Sequence, residues 1–326
     1  MHVLIVNNSV IPAIRYGGTE RVIWWLGKQL AARGHKVSYL VAAGSSCPFA
    51  NVLVFDPTQP FNKQVPDDVD IVHLNHGVNE TPLKPYIITR HGNMHQQKKL
   101  DINTVFVSAD HAARFGSNSF VHNGIDPADY GIPVLDNKRT YIHFLGDAAW
   151  RVKNVKGAIK IAGMAKLPIH IIGGVRFNFN QGIRLTFTPN AHFHGMLGGE
   201  KKNKIINDSK AFLFPVRWHE PFGIAIIESL YFGCPVFATP YGSLPELVNS
   251  EVGFLSDNSV ELANALKNVD AFNRKRCHEY VLSNFSSTQM CDKYLYYYNE
   301  VLNGNTLNVV QPMLQKIQEE KFLKFD

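Results

Sequence analysis

The sequence predicts an α/β protein made of two doubly wound, Rossmann-like domains. Strand-like and helix-like segments alternate along most of the 326 residues, which is typical of βαβ units with parallel sheets. The alternation stops once, in a polar and turn-rich stretch that ends near Arg139, and then resumes. Two such series indicate two domains that face each other across a cleft, with ligand sites at the carboxyl ends of the strands.

The first series begins with an apolar strand at residues 3–6, and an amphipathic helix at residues 20–33 ends before Gly34. The other strands predicted in this half are residues 36–41, 70–74, 86–89, 104–108 and 119–122. The first domain therefore covers residues 1–135, and its boundary falls in the polar stretch.

The second series gives a domain over residues 136–302. Its predicted strands are residues 141–145, 169–173, 191–194, 211–216 and 235–238, and its predicted helices are residues 157–165, 199–207, 222–233 and 290–302. A break at Gly304 follows, and an apolar pattern then predicts a last helix at residues 311–325. We expect the C-terminal helices, from about residue 303 to 326, to pack on the first domain and complete it.

Composition narrows the class of protein. Apolar residues make up 45% of the chain and charged residues 18%, which indicates a globular protein. A net charge of +6 and a pI near 9.0 suit phosphates, anionic membrane surfaces or nucleic acid. Nucleic acid ranks last because no basic stripe interleaved with aromatic residues appears. Four cysteines without a CxxC pair favour reduced thiols in the cytoplasm, and no apolar run is long enough to span a bilayer, so membrane contact would be peripheral.

Residues 220–228 carry the strongest chemical signal. Glu220 follows a predicted strand, a Pro-Phe-Gly turn comes next, and Glu228 lies in an apolar helical pattern. The N-terminus of that helix offers free N–H groups and a positive dipole end, which suit a phosphate. Acids at its start and two turns along could hold hydroxyls on either side of a diphosphate, which predicts a nucleotide-sugar site. The plainer alternatives are a helix-terminal charge for Glu220 and a salt bridge for Glu228.

These residues resemble the family-4 retaining glycosyltransferases of the GT-B fold. The segment 220–228, continuing to residue 239 and the turn at 242–246, looks like the E-x7-E region of that family. Residues 17–21 look like its N-terminal glycine loop, residues 121–126 like the end of its first domain, and residues from 286 like its closing helices. The resemblance covers nearly the whole chain. It implies metal-independent transfer of a hexose or related sugar from a nucleotide diphosphate to a hydroxyl acceptor, with retention.

The resemblance also implies roles for particular residues. The catalytic candidates are Glu220, Lys153 and His91; the donor-binding candidates are Gly17, Gly18, Arg151, Phe222, Gly223, Ile224 and Glu228; the acceptor-binding candidates are Arg21, Arg90 and His95. Arg15 and Tyr16 are further candidates for contacts with a phosphate. Without the resemblance, a lone histidine such as His91 is more often structural, and Arg151 and Lys156 would be a solvated basic face.

One position departs from the family pattern. An arginine normally follows the glycine that ends the first strand of the donor domain, but Asp147 follows Gly146 here. Either Arg151 takes over its role or the donor differs.

No HExxH motif and no DxD at a strand end appears, and His192 and His194 have no matching carboxylates or cysteines, so we expect no metal and no cofactor.

The predicted partners are a nucleotide-sugar donor, with a UDP-sugar favoured over a GDP-sugar, and a glycan or lipid-linked acceptor. This indicates cell-surface polysaccharide or lipopolysaccharide biosynthesis in the cytoplasm, at the inner face of the membrane. Two alternatives remain open. One is a nucleotide-sugar epimerase or hydrolase of the same fold, and the other is a non-catalytic protein that binds nucleotide or glycan.

Overall fold

A computed structural model describes residues 1–13 and 17–326 and divides the chain into two compact units. Unit 1 comprises Met1–Asp126 and Phe285–Gln318, and unit 2 comprises Pro127–Asn284 and Glu319–Asp326. Each unit contains a six-stranded sheet in which every pair of neighbours is parallel. The predicted fold class, two doubly wound α/β domains, is confirmed.

Unit 1 follows the predicted alternation closely. Its elements up to residue 126 are β1 (His2–Val6), α1 (Gly18–Ala32), β2 (Lys36–Val41), β3 (Asn51–Val54), β4 (Ile71–Leu74), β5 (Tyr86–Arg90), β6 (Thr104–Phe106) and α2 (Ala109–Arg114). The strand order is β3-β2-β1-β4-β5-β6, so the fully buried β1 and β4 lie at the centre. The edge strand β3 was not predicted from the sequence. The strand predicted at residues 119–122 is wrong, because only Phe120 pairs, in a single bridge with Phe106.

Unit 2 repeats the architecture. Its elements are β7 (Tyr141–Leu145), α3 (Val155–Met164), β8 (Ile169–Ile172), β9 (Phe177–Asn178), β10 (Arg184–Leu185), β11 (Ala191–Phe193), α4 (Gly199–Asn207), β12 (Ser209–Phe214), α5 (Ile224–Tyr231), β13 (Val236–Ala238), α6 (Leu244–Leu247), β14 (Gly253–Leu255), α7 (Ser259–Lys267) and α8 (Arg274–Asn284). The sheet order is β11-β8-β7-β12-β13-β14, while β9 and β10 form a separate antiparallel pair.

The C-terminal part of the chain differs most from the sequence-based expectation. Helix α9 (Ser287–Leu302) belongs to unit 1, where Arg33, the residue that follows α1, forms an ion pair of 2.6 Å with Asp292. The division therefore falls after residues 126 and 284 rather than at residues 135 and 302. The second boundary was predicted at residue 302 because the helical pattern of residues 290–302 was assigned to the second domain. The tertiary contacts of α9, which the sequence does not reveal, place this helix in unit 1 instead.

The helix predicted at residues 311–325 is wrong. Met313 N–H donates to the Phe115 carbonyl and Gln315 N–H to the Arg114 carbonyl, each at 2.9 Å, so these donors bond to unit 1 instead of to a helical turn. Leu314 is buried beside Phe115. Residues 319–326 join unit 2, where Leu323 N–H donates to the Arg217 carbonyl at 2.9 Å. The tail thus makes two separate contacts, one with unit 1 near Leu314 and one with unit 2 near Leu323, and does not form a helix with a single apolar face.

Each sheet buries a histidine in a central strand. His73 of β4 bonds Thr89 Oγ1 and Tyr298 Oη of α9, both at 2.7 Å. His143 of β7 bonds Ser209 Oγ at 2.8 Å and Ser229 Oγ at 2.9 Å. Burial lowers the pKa of each imidazole to about 3, so both are neutral at neutral pH.

None of the helices in residues 1–13 and 17–326 has the length and apolar character needed to cross a membrane.

Candidate active site

The segment between β12 and α5 places Glu220 at the carboxyl edge of the unit 2 sheet. Its backbone forms a bridge with Gly242, just after β13, and its carbonyl accepts the Ser243 N–H at 3.0 Å. Gly242 has a φ of +65°, and a Cβ there would lie 2.4 Å from the backbone N and O of Glu220. Only glycine permits this close approach of two backbones, which fixes the position of the Glu220 carboxylate.

Lys153 and Glu220 form a buried ion pair. Lys153 Nζ lies 2.6 Å from Glu220 Oε2, and Trp218 Nε1 donates to the same oxygen at 2.8 Å. The ammonium also lies 4.8 Å from the centre of the Trp218 ring and 5.0 Å from that of Phe214, within the range of cation–π attraction. In the described part of the chain, no protein donor bonds Glu220 Oε1. The pair is therefore held from one side and leaves one carboxylate oxygen for a ligand hydroxyl.

The loop from β7 to α3 delivers Lys153. Asp147 Oδ1 accepts the Ala149 N–H at 2.9 Å, and a single 3₁₀ turn, Arg151–Lys153, follows. Asn154 then adopts a left-handed conformation with a φ of 57°, accepts the Gly157 N–H at the start of α3, and donates to the Pro215 carbonyl at 2.9 Å. These bonds tie the loop to the end of β12. Asp147, which stands where the resembled family has arginine, fastens its own turn.

Arg151 does not join this pair. Its guanidinium lies over the ring of Phe322, 5.2 Å from the centroid, and Arg217 contacts the same ring at the same distance. Together with Lys156 and Arg184 they line a cavity of about 260 Å³ within unit 2. The structure thus separates the two cations that the sequence analysis grouped as diphosphate ligands.

The other donor-binding candidates of the motif surround the start of α5. Gly223 precedes the helix with a φ of +94°, and a Cβ there would lie 2.9 Å from Ile226 Cδ1 and 3.4 Å from Glu220 Cγ. The Phe222 carbonyl accepts the Ser243 hydroxyl at 2.6 Å. Phe222, Gly223 and Ile224 therefore adjoin Glu220, with the N-terminus of the helix at the same edge of the sheet.

Glu228 is tied into the interior of unit 2. Its Oε1 accepts the Tyr130 hydroxyl at 2.8 Å and forms an ion pair with Lys202 of α4. The carboxylate and the ammonium are both almost fully buried, and Lys202 Nζ lies 5.3 Å from the Tyr130 ring centre. The salt bridge considered as the plainer role of Glu228 is present.

In unit 1, His91 and Asn75 meet at the carboxyl edge of the sheet. His91 Nε2 contacts Asn75 Oδ1 at 2.8 Å, and Asn75 N–H donates to the Val6 carbonyl at the end of β1. Burial, followed by the charge of Arg90, lowers the pKa of His91 to about 4. His91 is therefore a neutral hydrogen-bonding group at neutral pH rather than a cation.

Two of the remaining unit 1 candidates, Arg21 and Arg90, bond to backbone carbonyls in nearby loops. Arg21 Nε donates to the Gly17 carbonyl at 3.1 Å, and Gly18 is the first residue of α1. Arg90 Nε donates to the Gly92 carbonyl at 3.1 Å, and His95 is exposed. The candidates Arg15 and Tyr16 lie outside the described residues.

Sequence reasoning missed three partners of the two acids. Trp218 stands two positions before Glu220, so its proximity was a usable signal. Tyr130 and Lys202 come from distant segments and carried no signal. Within the described residues, no group of three or more His, Cys, Asp or Glu side chains is arranged to hold a metal ion.

Comparison with known proteins gives a family match over part of the chain and a fold match over nearly all of it. Residues 129–279 match the family model for glycosyl transferases group 1. An uncharacterized 41.2 kDa protein in the cps region of Klebsiella pneumoniae is 26% identical over 147 residues, which are 43% of this chain and 40% of that protein. The match thus spans less than half the length of that relative.

Solved structures match over nearly the whole chain. AviGT4, a glycosyltransferase involved in avilamycin A biosynthesis, is 20% identical, with 94% of this chain and 99% of that chain covered and a TM-score of 0.75. Sucrose-phosphate synthase from Thermosynechococcus elongatus is 16% identical, with 93% and 100% covered and a TM-score of 0.71. HepE of Anabaena, in complex with UDP and glucose, is 15% identical, with 91% and 99% covered and a TM-score of 0.65. These likenesses show the GT-B fold.

Proposed function

We propose that the chain transfers a sugar from a nucleotide diphosphate to a hydroxyl acceptor, and the match of residues 129–279 to the model for glycosyl transferases group 1 supports this. The observation that carries the proposal is the buried Lys153–Glu220 pair beside the N-terminus of α5. A departing nucleotide diphosphate carries more negative charge than a helix dipole offsets, and Lys153 supplies a cation at that position. Glu220 Oε1 supplies an acceptor for a donor-sugar hydroxyl.

We assign the donor to unit 2 and the acceptor to unit 1. In unit 2, the N–H groups at Gly223 and Ile224 would bind phosphate oxygens, and Glu228 would bind ribose hydroxyls through the edge of its carboxylate group. In unit 1, the neutral His91 would bond the donor sugar, while Gly17 and Gly18 would let the backbone approach a ligand closely. Arg21, Arg90 and His95 are proposed acceptor contacts. Arg151 contacts Phe322, so we propose that it does not take over the role of the family arginine. Asp147 then marks a changed donor site, in which Lys153 is the cation that neutralises the diphosphate.

We further propose retention at the anomeric carbon, without a metal. Among the described residues, Glu220 is the carboxylate that forms an ion pair with Lys153, and this pairing makes it a poor covalent nucleophile. A same-face route, in which the departing phosphate oxygen takes the acceptor proton, requires only the groups described. Retention is measured by the anomeric proton coupling of the first product formed. An inverted product would remove this part of the proposal.

The donor is proposed to be a hexose on UDP, with GDP next. HepE, of the same fold, was solved with UDP and glucose, which supports this order. The relative in a cps region supports a glycan or lipid-linked acceptor in surface polysaccharide biosynthesis, reached at the cytoplasmic face of the membrane. No cofactor is proposed.

The first test is thermal stabilisation by UDP, GDP, ADP, CMP and dTDP, each at saturation and without added metal. A ligand that binds only the folded protein raises the melting temperature. We expect UDP to give the largest rise, and Lys153→Ala to reduce it because the diphosphate loses its cation. A rise with none of the five nucleotides would overturn the donor assignment.

A second measurement separates transfer from the two alternatives. Consumption of the stabilising nucleotide sugar is followed with and without a glycan acceptor. Transfer requires the acceptor, whereas an epimerase or hydrolase consumes the donor alone. A protein that binds nucleotide but turns over no donor under either condition would be the non-catalytic alternative.

A further inference from the structure

The antiparallel pair β9–β10 forms, with its flanking residues, an inverted ribbon over residues 175–187. Side chains alternate along it, because Phe177 pairs with Leu185 and Asn178 with Arg184. The outward positions are Val175, Phe177, Phe179, Ile183, Leu185 and Phe187, and all six are exposed. Phe179 and Phe187 are 70% and 76% exposed. The apolar face therefore meets water, the reverse of the usual arrangement.

The inward face of the ribbon is polar and already used. Asn178 Nδ2 donates to the Asn180 carbonyl at 2.7 Å, which fastens the tip. Arg184 Nη2 donates to the Val175 carbonyl and Nη1 to Thr186 Oγ1, both at 2.8 Å, while its guanidinium covers the Phe193 ring at 4.9 Å. These bonds fix which face points inward, so the apolar face cannot turn toward the core without breaking them. Six apolar side chains on one small ribbon form a patch, not scattered exposure, and such patches mark interaction sites.

Among the described residues, the cavity beside the ribbon is lined by four basic side chains, Arg151, Lys156, Arg184 and Arg217, and by no acidic one. Residues 148–199 contain seven Lys or Arg and no Asp or Glu, and of these seven Lys153 is paired with Glu220 outside the segment. Lys156, Arg184 and Arg217 line the cavity beneath the ribbon, and none of them forms an ion pair with a carboxylate in the described part of the chain. Arg184 is only 6% exposed, and its Nε has no hydrogen-bond partner among residues 1–13 and 17–326. A buried cation without a counter-ion is costly, which indicates that an anion completes the cavity.

We propose that the ribbon and the cavity beneath it form a docking surface for an anionic phospholipid membrane. The apolar face would enter the interfacial layer, and the cavity would receive a lipid phosphate. Aromatic and aliphatic side chains beside clustered lysine and arginine are the chemistry that such a surface binds. A second copy of this chain fits less well, because it would bring the same uncompensated positive charge to the contact. Unit 2 would reach the membrane through this surface. The proposed function is needed only to explain why membrane binding would be useful, namely to reach a lipid-linked acceptor.

The test is co-sedimentation with phosphatidylcholine vesicles made with and without phosphatidylglycerol. We expect binding only when phosphatidylglycerol is present. Phe179→Gln/Phe187→Gln should weaken binding about tenfold or more through lost apolar burial. Lys156→Gln/Arg217→Gln should weaken it about fivefold per charge. The controls are Ile132→Gln, a still more exposed apolar residue of unit 2 outside the ribbon, and Lys201→Gln, an exposed lysine outside the cavity; both should bind as the unaltered protein does.

Several outcomes would overturn the inference. One is no binding to phosphatidylglycerol vesicles, and another is equal binding by the ribbon variants and their controls. A dimer in sedimentation velocity that the Phe179→Gln/Phe187→Gln change dissociates, without vesicle binding, would assign the surface to a second copy. Saturable binding of inorganic phosphate without vesicle binding would assign the cavity to a soluble anion. The vesicle experiments contain no sugar donor and no acceptor. Their outcomes therefore do not depend on whether the protein transfers a sugar.

Discussion

Glu220 and Glu228 share a motif and a kind of partner, yet their surroundings differ. Each is buried against a lysine from another segment. Glu220 lies on a backbone turn among aromatic rings, with one oxygen not bonded by the described chain. Glu228 lies within α5, where Lys202 and Tyr130 join three segments of unit 2. The comparison teaches that spacing alone does not distinguish an acid that meets a ligand from one that also ties the fold together.

The largest expected effect is on turnover, at Glu220. Glu220→Gln keeps the shape but removes the charge that faces Lys153 and the sugar hydroxyl. We expect the turnover number to fall by three to four orders of magnitude, about 4–5 kcal/mol in the activation free energy. Nucleotide affinity should be largely kept in thermal-shift titrations. Turnover within about tenfold of the unaltered enzyme would remove Glu220 from the catalytic site.

The next effect is on stability, at the other acid. Lys202→Met leaves Glu228 buried without its cation, and we expect a loss of about 3–5 kcal/mol in the free energy of unfolding. Lys202→Met/Glu228→Leu replaces the pair with apolar side chains and should recover most of that loss. Urea denaturation measures both.

The double variant also sharpens the comparison. If Glu228 binds ribose as proposed, the recovered protein should still bind UDP more weakly than the unaltered protein. Full recovery of both stability and UDP affinity would make Glu228 a purely structural residue.

Lys153 should affect binding and chemistry together. Lys153→Ala removes the cation proposed to face the diphosphate, and we expect UDP affinity to fall about tenfold to a hundredfold, or about 1.4–2.8 kcal/mol. Isothermal titration measures it, with Lys156→Ala on the same loop-to-helix segment as the control. Equal losses in both variants would indicate a general charge effect rather than a specific contact.

Acid should loosen the surroundings of Glu228 through His143, which bonds the neighbouring Ser229. Burial lowers the pKa of His143 to about 3, below the value near 6.5 of an unfolded chain. The unfolded state therefore binds a proton first as the pH falls, so stability is full above about pH 6.5 and declines toward pH 3. Between pH 6.5 and 5 the decline should be about 2 kcal/mol for this group. His143→Gln should flatten the profile of unfolding free energy against pH, and an unchanged slope would contradict this assignment.

The smallest effect is expected at Trp218. Trp218→Phe keeps a ring beside Lys153 but loses the Nε1–H that bonds Glu220 Oε2. One charge-assisted hydrogen bond is lost, so turnover should fall about tenfold, near 1.4 kcal/mol. Trp150→Phe, which removes an indole of the same cluster without a described bond to Glu220, is the control. Equal effects of the two changes would mean that ring packing, not the hydrogen bond, positions Glu220.

Sequence periodicity was sufficient for most of the fold, because each central strand is an apolar run and each long helix an apolar stripe. It failed where tertiary contacts override local pattern. The tail after residue 302 has helical spacing, but its backbone N–H groups do not form a helix. Three of them donate to the carbonyl groups of Phe115, Arg114 and Arg217 instead. Glu220 and Lys153 were identifiable from motif and position. Lys202 was not, since nothing in α4 signals that its ammonium meets Glu228 across the interior.

The division of the chain has a consequence for its synthesis. Unit 1 needs Phe285–Gln318, and unit 2 needs Glu319–Asp326, so a ribosome that has released only residues 1–284 has completed neither unit. Leu314 then covers a cluster that includes Phe115, and Asp326 accepts the Ser259 N–H through its carbonyl oxygen. Folding of the two units therefore finishes only once residues 285–326 have emerged, rather than in the order in which residues 1–126 and 127–284 emerge. Separate expression of unit 1 would require residues 1–126 to be joined to residues 285–318 through a linker that replaces residues 127–284.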